Sequence, residues 1–267
     1  MAKKNKTGKL QYQFAFEYRS LKWLVLEIAM FSVFAELAYT YFKVKNIDSK
    51  DDVAFAPIIS GSLWQIIFYA AMIIGFLSVA YVVFGDRMDF NGMYALRTMP
   101  IDIKHIILSK LGVSVVAMLG VYGAQLLSFM FTWSLFTENV PVAKRESHAL
   151  NYALVKDKFI CSSFPATIGQ FFINILFIVV MVIGFSYLLY SARTRNSNKI
   201  LLGGFYFIVN LVAIIVFIML GVRVPFIPST VKNLSSDVMI GVSITLVVYI
   251  GALGVMMRKM YKEFIYE

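Results

Sequence analysis

Residues 111–136 read LGVSVVAMLGVYGAQLLSFMFTWSLF, without a single charged side chain. About 20 apolar residues at 1.5 Å each cross a bilayer core. Lipid offers no hydrogen bonds, so every backbone amide in such a stretch must be paired within it, and the stretch is therefore a helix. A membrane β-barrel would need short segments of alternating polarity, and these residues do not alternate.

Working outward, similar runs appear at 23–42, 61–84, 168–190, 200–220 and 237–256. The predicted fold is an all-α integral membrane protein with six transmembrane helices. Residues 1–22 form a cytosolic arm, 23–256 the membrane domain and 257–267 a cytosolic tail. Of the 267 residues 60% are hydrophobic and 15% charged, against about half apolar and a quarter charged in soluble domains. The basic arm is not read as a signal peptide. Its apolar run starts late, near Trp23, contains Glu27 and Glu36, and lacks a small-residue cleavage pattern.

Lys and Arg concentrate on the side of the termini. They occur in the arm (Lys3, Lys4, Lys6, Lys9, Arg19, Lys22), in 85–110 (Arg87, Arg97, Lys104, Lys110), in 191–199 (Arg193, Arg195, Lys199) and in the tail (Arg258, Lys259, Lys262). Fewer lie opposite, so both termini are expected in the cytosol and the protein in the cytoplasmic membrane. The net charge of +10 then suits anionic lipid headgroups. The basic residues form no stripe for nucleic acid. One cysteine, Cys161, excludes an internal disulfide, and His105 and His148 are too few for a histidine-rich metal site. Residues 10–22 suit either an interfacial helix or an extension of the first span.

The cytosolic segment 85–110 is the most informative. Pro100 disfavours helix at Met99. Asp102 is placed to cap a new helix, and Ile103, Ile106 and Ile107 give that helix one apolar face. The helix is expected to continue through Lys110 into the third span. Such an element suits docking of a soluble partner, or a hairpin resting on headgroups.

Leu96-Arg97-Thr98-Met99-Pro100-Ile101-Asp102, followed by Ile106-Ile107-Leu108-Ser109-Lys110, resembles the loop between the second and third spans of ABC-2 type ABC transporter permeases. The short six-span layout is similar to permeases of peptide exporters, such as the phenol-soluble modulin exporter. The resemblance implies that Pro100 to Ser109 is a coupling helix. Asp86, Arg87, Asp89, Arg97, Met99, Pro100, Ile101, Asp102, Lys104, His105, Arg193 and Arg195 would then dock the ATPase. It implies a second permease copy, identical or a close paralogue, and an amphipathic peptide or other hydrophobic substrate. Residues 222–236, with Pro225 and Pro228, are similar in position to the re-entrant turn of many such permeases. No G-x-x-x-x-G-K-S/T motif occurs, so the P-loop ATPase is expected to be another chain. ATP and Mg would be bound there, and no cofactor or metal by this one.

Intramembrane carboxylates are costly and are functional candidates by default. Glu27 and Glu36 are nine residues apart, about 900° of helix rotation, and so lie on opposite faces. Glu27 is within reach of Arg19 or Lys22. Glu36 is expected at the substrate path, at an interhelical contact or just beneath the outer surface. Trp64, Gln65, Tyr69, Tyr81, Tyr206 and Asn210 are further path candidates, since the resemblance implies that spans two and five line the path. The alternatives are interhelical hydrogen bonding and interface anchoring. The outer loop 137–167 mixes charges and is expected to be solvated, or to gate the exit or meet a partner.

Two other function classes compete. A proton-coupled secondary transporter would use Glu36, although no internal repeat is visible. An intramembrane enzyme would need a nucleophile with a base or a metal site. No histidine lies in any predicted span and no H-E-x-x-H occurs, so no catalytic residue is assigned.

Overall fold

A computed structural model of the chain describes residues 2–46, 53–60, 63–81, 103–146 and 148–193. The described residues are helical and contain no strand beyond one isolated bridge between Val53 and Arg145. The elements are α1 (Ala2–Lys45), α2 (Ala56–Ile59), α3 (Leu63–Ala80), α4 (Ile103–Asn139), a 3-10 turn (Val142–Lys144), α5 (Ala149–Lys156), α6 (Lys158–Ser163) and α7 (Ile168–Arg193). Three stretches, Leu63–Ala80, Leu108–Asn139 and Ile168–Ser186, are long and apolar enough to cross a membrane. They coincide with the second, third and fourth predicted spans. The first predicted span lies inside α1, which carries Glu27 and Glu36 and is not among the three. Predicted spans 200–220 and 237–256 lie outside the described residues.

Helix α1 is unbroken from Ala2 to Lys45, with no interruption between 10–22 and the apolar run. It packs along α4 over the most extensive helix contact among the described residues, and α3 and α7 close on α4 from other sides. Val113, Ala117 and Val121 recur at helical spacing on α4 and are buried with Met72, Phe76 and Val79 of α3 and Ile178 and Val182 of α7. Gly75 permits the close approach of α3, because a Cβ there would sit 3.2 Å from the Met118 sulfur. Trp23, Phe31, Phe34 and Phe42 of α1 and Ile66, Ile73 and Leu77 of α3 point outward. Such a belt suits lipid rather than water.

The segment after α4 is a folded cap, not the solvated loop expected for 137–167. The Arg145 guanidinium donates to the Val140 carbonyl at 2.7 Å and to the Thr137 carbonyl, satisfying acceptors at the end of α4. Val53 N donates to Lys144 O at 2.8 Å, and Lys43 Nζ donates to Pro57 O at 2.8 Å, so the chain after α1 is fastened to the same cap. His148 takes a left-handed φ of 57° to turn the chain into α5. Asp157 caps α6 by accepting from Ile160 N at 2.8 Å. Apolar burial drives this: Phe159, Ile160 and Phe164 are almost wholly covered, with Phe159 and Phe164 against Trp64 and Phe68 of α3 and Phe164 against Phe129 of α4.

Candidate functional site

Ser32, Glu36 and Thr40 succeed one another at four-residue intervals and share one face of α1. Gln125, Ser128 and Thr132 form the matching face of α4. All six are buried, Glu36 and Gln125 completely. The first pair of helices therefore meets across a polar seam, not a greasy one. Thr40 returns its hydroxyl to the Glu36 carbonyl at 2.8 Å, and Ser32 donates to the Ala29 carbonyl at 3.0 Å.

Gln125 sits between Ser32 and Glu36, and its amide has two orientations with different chemistry. With nitrogen toward Ser32 it donates to the Ser32 hydroxyl at 2.8 Å. Its oxygen then faces the Glu36 carboxyl. Turned over, Nε2 donates to Glu36 at 2.6 Å and 3.2 Å, and Oε1 accepts from Ser32 Oγ at 2.8 Å. The Ser128 hydroxyl is turned to the same carboxyl, without a well-formed hydrogen bond closing on it. Thr132 Oγ1 is likewise buried without a partner. Glu36 makes no ion pair among the described residues.

A second polar knot ties α4, α6 and α7 together. The Tyr122 hydroxyl donates to the Ser163 carbonyl at 2.9 Å, and Asn174 Nδ2 donates to the Tyr122 oxygen at 2.7 Å and to the Ser163 carbonyl at 3.2 Å. Beside it lies an aromatic cluster. Trp64 stacks on Phe68 with centroids 6.1 Å apart, and Phe129 stacks on Phe164 at 4.3 Å. Tyr69 meets Phe68 and Phe159 edge-on.

At the other end of α4, Glu17 of α1 and Lys110 of α4 form an ion pair at 3.2 Å, each only 1% exposed. Phe14 lies over Gly112 one turn along, where a Cβ would come within 3.4 Å of its ring. The start of α4 is thereby clamped to the extension of α1.

Among the described residues the path candidates do not converge. Glu36 is in the α1–α4 seam. Trp64 is wholly buried in the aromatic cluster, where Tyr69 also packs, while Gln65 is half-buried and Tyr81 exposed. Tyr206 and Asn210 lie outside the described residues. So do Asp86, Arg87, Asp89, Arg97, Met99, Pro100, Ile101, Asp102 and Arg195. Lys104 and His105 fall in the opening turns of α4, and Arg193 ends α7. Glu27 is exposed, opposite to buried Glu36.

Sequence reading missed Ser32, Gln125, Ser128, Tyr122 and Asn174. The signal was present for the seam, since polar residues recur at helical spacing in two spans. Among the described residues no group of three His, Cys, Asp or Glu is placed to hold a metal. No family model, no curated protein and no solved structure matches this chain.

Proposed function

We propose that this chain is the permease half of an ABC-2 type exporter, six helices driven by a separate P-loop ATPase and working as a pair of permeases. The supporting observation is the stretch from Leu96 to Lys110 with its Met-Pro-Ile-Asp turn, in a chain that has no phosphate-binding loop of its own. Helix α4 continues that stretch without a break from Ile103 to Asn139. A push on a partner docked at 100–109 would therefore travel rigidly into the bundle. ATP and Mg belong to the partner. The substrate class is amphipathic or hydrophobic peptides, taken from the cytosol or the membrane and exported across the cytoplasmic membrane.

The test is native purification followed by reconstitution. The expected complex holds two permeases and two ATPases, and transport requires ATP. Asp102→Ala or Lys104→Glu should weaken ATPase capture or uncouple hydrolysis from transport, with membrane insertion unchanged. A chain that transports alone, without any ATPase, refutes the proposal. That result would favour a proton-coupled secondary transporter, a reading supported by the fully buried Glu36.

A further inference from the structure

Among the described residues the Glu36 carboxyl has no basic partner to neutralise it. No Lys, Arg or His occurs in any of the six predicted spans. A carboxylate ionised in such surroundings is costly unless another positive charge is present. The geometry shows where that charge fits. The nearest Gln125 amide atom lies 2.6 Å from Glu36. That is a hydrogen-bond distance, open to an amide N–H donating to a carboxylate and to a carboxyl O–H donating to the amide oxygen. It is too close for two oxygens flanking an alkali ion, whose contacts to each oxygen exceed about 2.3 Å, as for other hard cations of similar size.

The hydrogen-bond balance of Ser32 points the same way. A serine hydroxyl has one proton to donate. With the Gln125 nitrogen toward Ser32, that hydroxyl accepts from Gln125 and still donates to the Ala29 carbonyl at 3.0 Å. Ser32 and the Gln125 amide are then both satisfied, provided Glu36 donates a proton to Gln125 Oε1. With the amide turned over, Ser32 must donate to Gln125 and release Ala29.

We propose that Glu36 is a proton-binding site, with the bound proton shared with Gln125 Oε1. Uptake forms the Glu36 O–H bond. Release sends the proton out of the seam, leaves a carboxylate and turns the amide over, so that Nε2 donates to Glu36. Each state has its own hydrogen-bond pattern across α1 and α4, so proton occupancy is tied to how these helices grip. Among the described residues the surrounding titratable groups do not replace the proton. On α1, Glu27 is exposed on the far face and Lys43 is bonded to Pro57 O; Tyr39 and Tyr41 are not basic. On α4, Lys110 is paired with Glu17 at the opposite end, Tyr122 is bonded to Ser163, and Glu138 is exposed. On α3, Tyr69 packs in the aromatic cluster. The inference stands whether or not an ATPase drives the chain.

Infrared spectroscopy of the full chain in lipid nanodiscs at pH 7 tests it, because ordinary surface carboxyls are ionised there. The expected spectrum has a protonated-carboxyl C=O band. The band should disappear in Glu36→Gln, move to higher frequency in Gln125→Leu, and stay unchanged in Glu27→Gln. If Glu36→Gln fails to fold, the wild-type band and its shift in Gln125→Leu decide. Absence of the band in wild type overturns the proposal, as does a band indifferent to both variants. A carboxylate band that responds to sodium instead assigns the site to an alkali ion and also overturns it.

Discussion

Removing one partner of the Glu17–Lys110 pair should be among the most damaging single changes where the start of α4 meets α1. The two groups lie 3.2 Å apart and each is 1% exposed, so water screens neither. Breaking a buried pair from one side costs about 3–5 kcal/mol, because the remaining charge stays in a dry site, whereas an exposed pair is worth about 0.2–1 kcal/mol. Replacing both by apolar groups of similar size is close to neutral. Lys110→Met and Glu17→Leu should therefore each lose about 3–5 kcal/mol. The double variant should lose far less than their sum. The assay is unfolding by SDS in mixed micelles, followed by tryptophan fluorescence and analysed as a double-mutant cycle. Two observations would refute the reasoning: single variants within about 1 kcal/mol of wild type, or a double variant that costs the plain sum. Either would mean that water reaches the pair.

Tyr122→Phe removes the donor to Ser163 and the acceptor of Asn174, and should cost about 1–3 kcal/mol in the same assay. Asp157→Ala removes the α6 cap and should cost about 1 kcal/mol, read as faster amide exchange confined to 158–163. Glu36→Gln should alter transport, or substrate-stimulated ATPase activity in the complex, by far more than Glu27→Gln. Equal effects of the two would leave the seam without a functional role.

Helix formation at 63–80, 103–139 and 168–193 was legible because in lipid the backbone has no alternative partner. Rotation arithmetic placed Glu27 and Glu36 on opposite faces, and one is exposed and the other buried. What a face meets was not legible. Nothing local to Glu36 names Gln125, since periodicity gives a direction and not a neighbour. Lys110 read as one more cytosolic positive charge, but the closeness of Phe14 to Gly112 brings Glu17 against it. The cap after α4 was hidden by its mixed charge. Its order comes from Arg145 holding carbonyls at the end of α4 and from rings supplied by α3 and α4.

The α1–α4 seam also has a consequence for synthesis. Ser32 and Gln125 are 93 residues apart. At about 5–20 residues per second, roughly 5–20 s separate the two from the ribosome. On the six-span reading, helix α1 would reach the membrane within that interval, carrying an acidic side chain, and such a group costs about 2.5–3.5 kcal/mol at a helix centre on the insertion scale. The burden is lifted only when α4 follows. On that reading insertion of the first helix would be provisional until the third predicted span is made, and a chain truncated before Gln125 should leave α1 poorly retained in the bilayer.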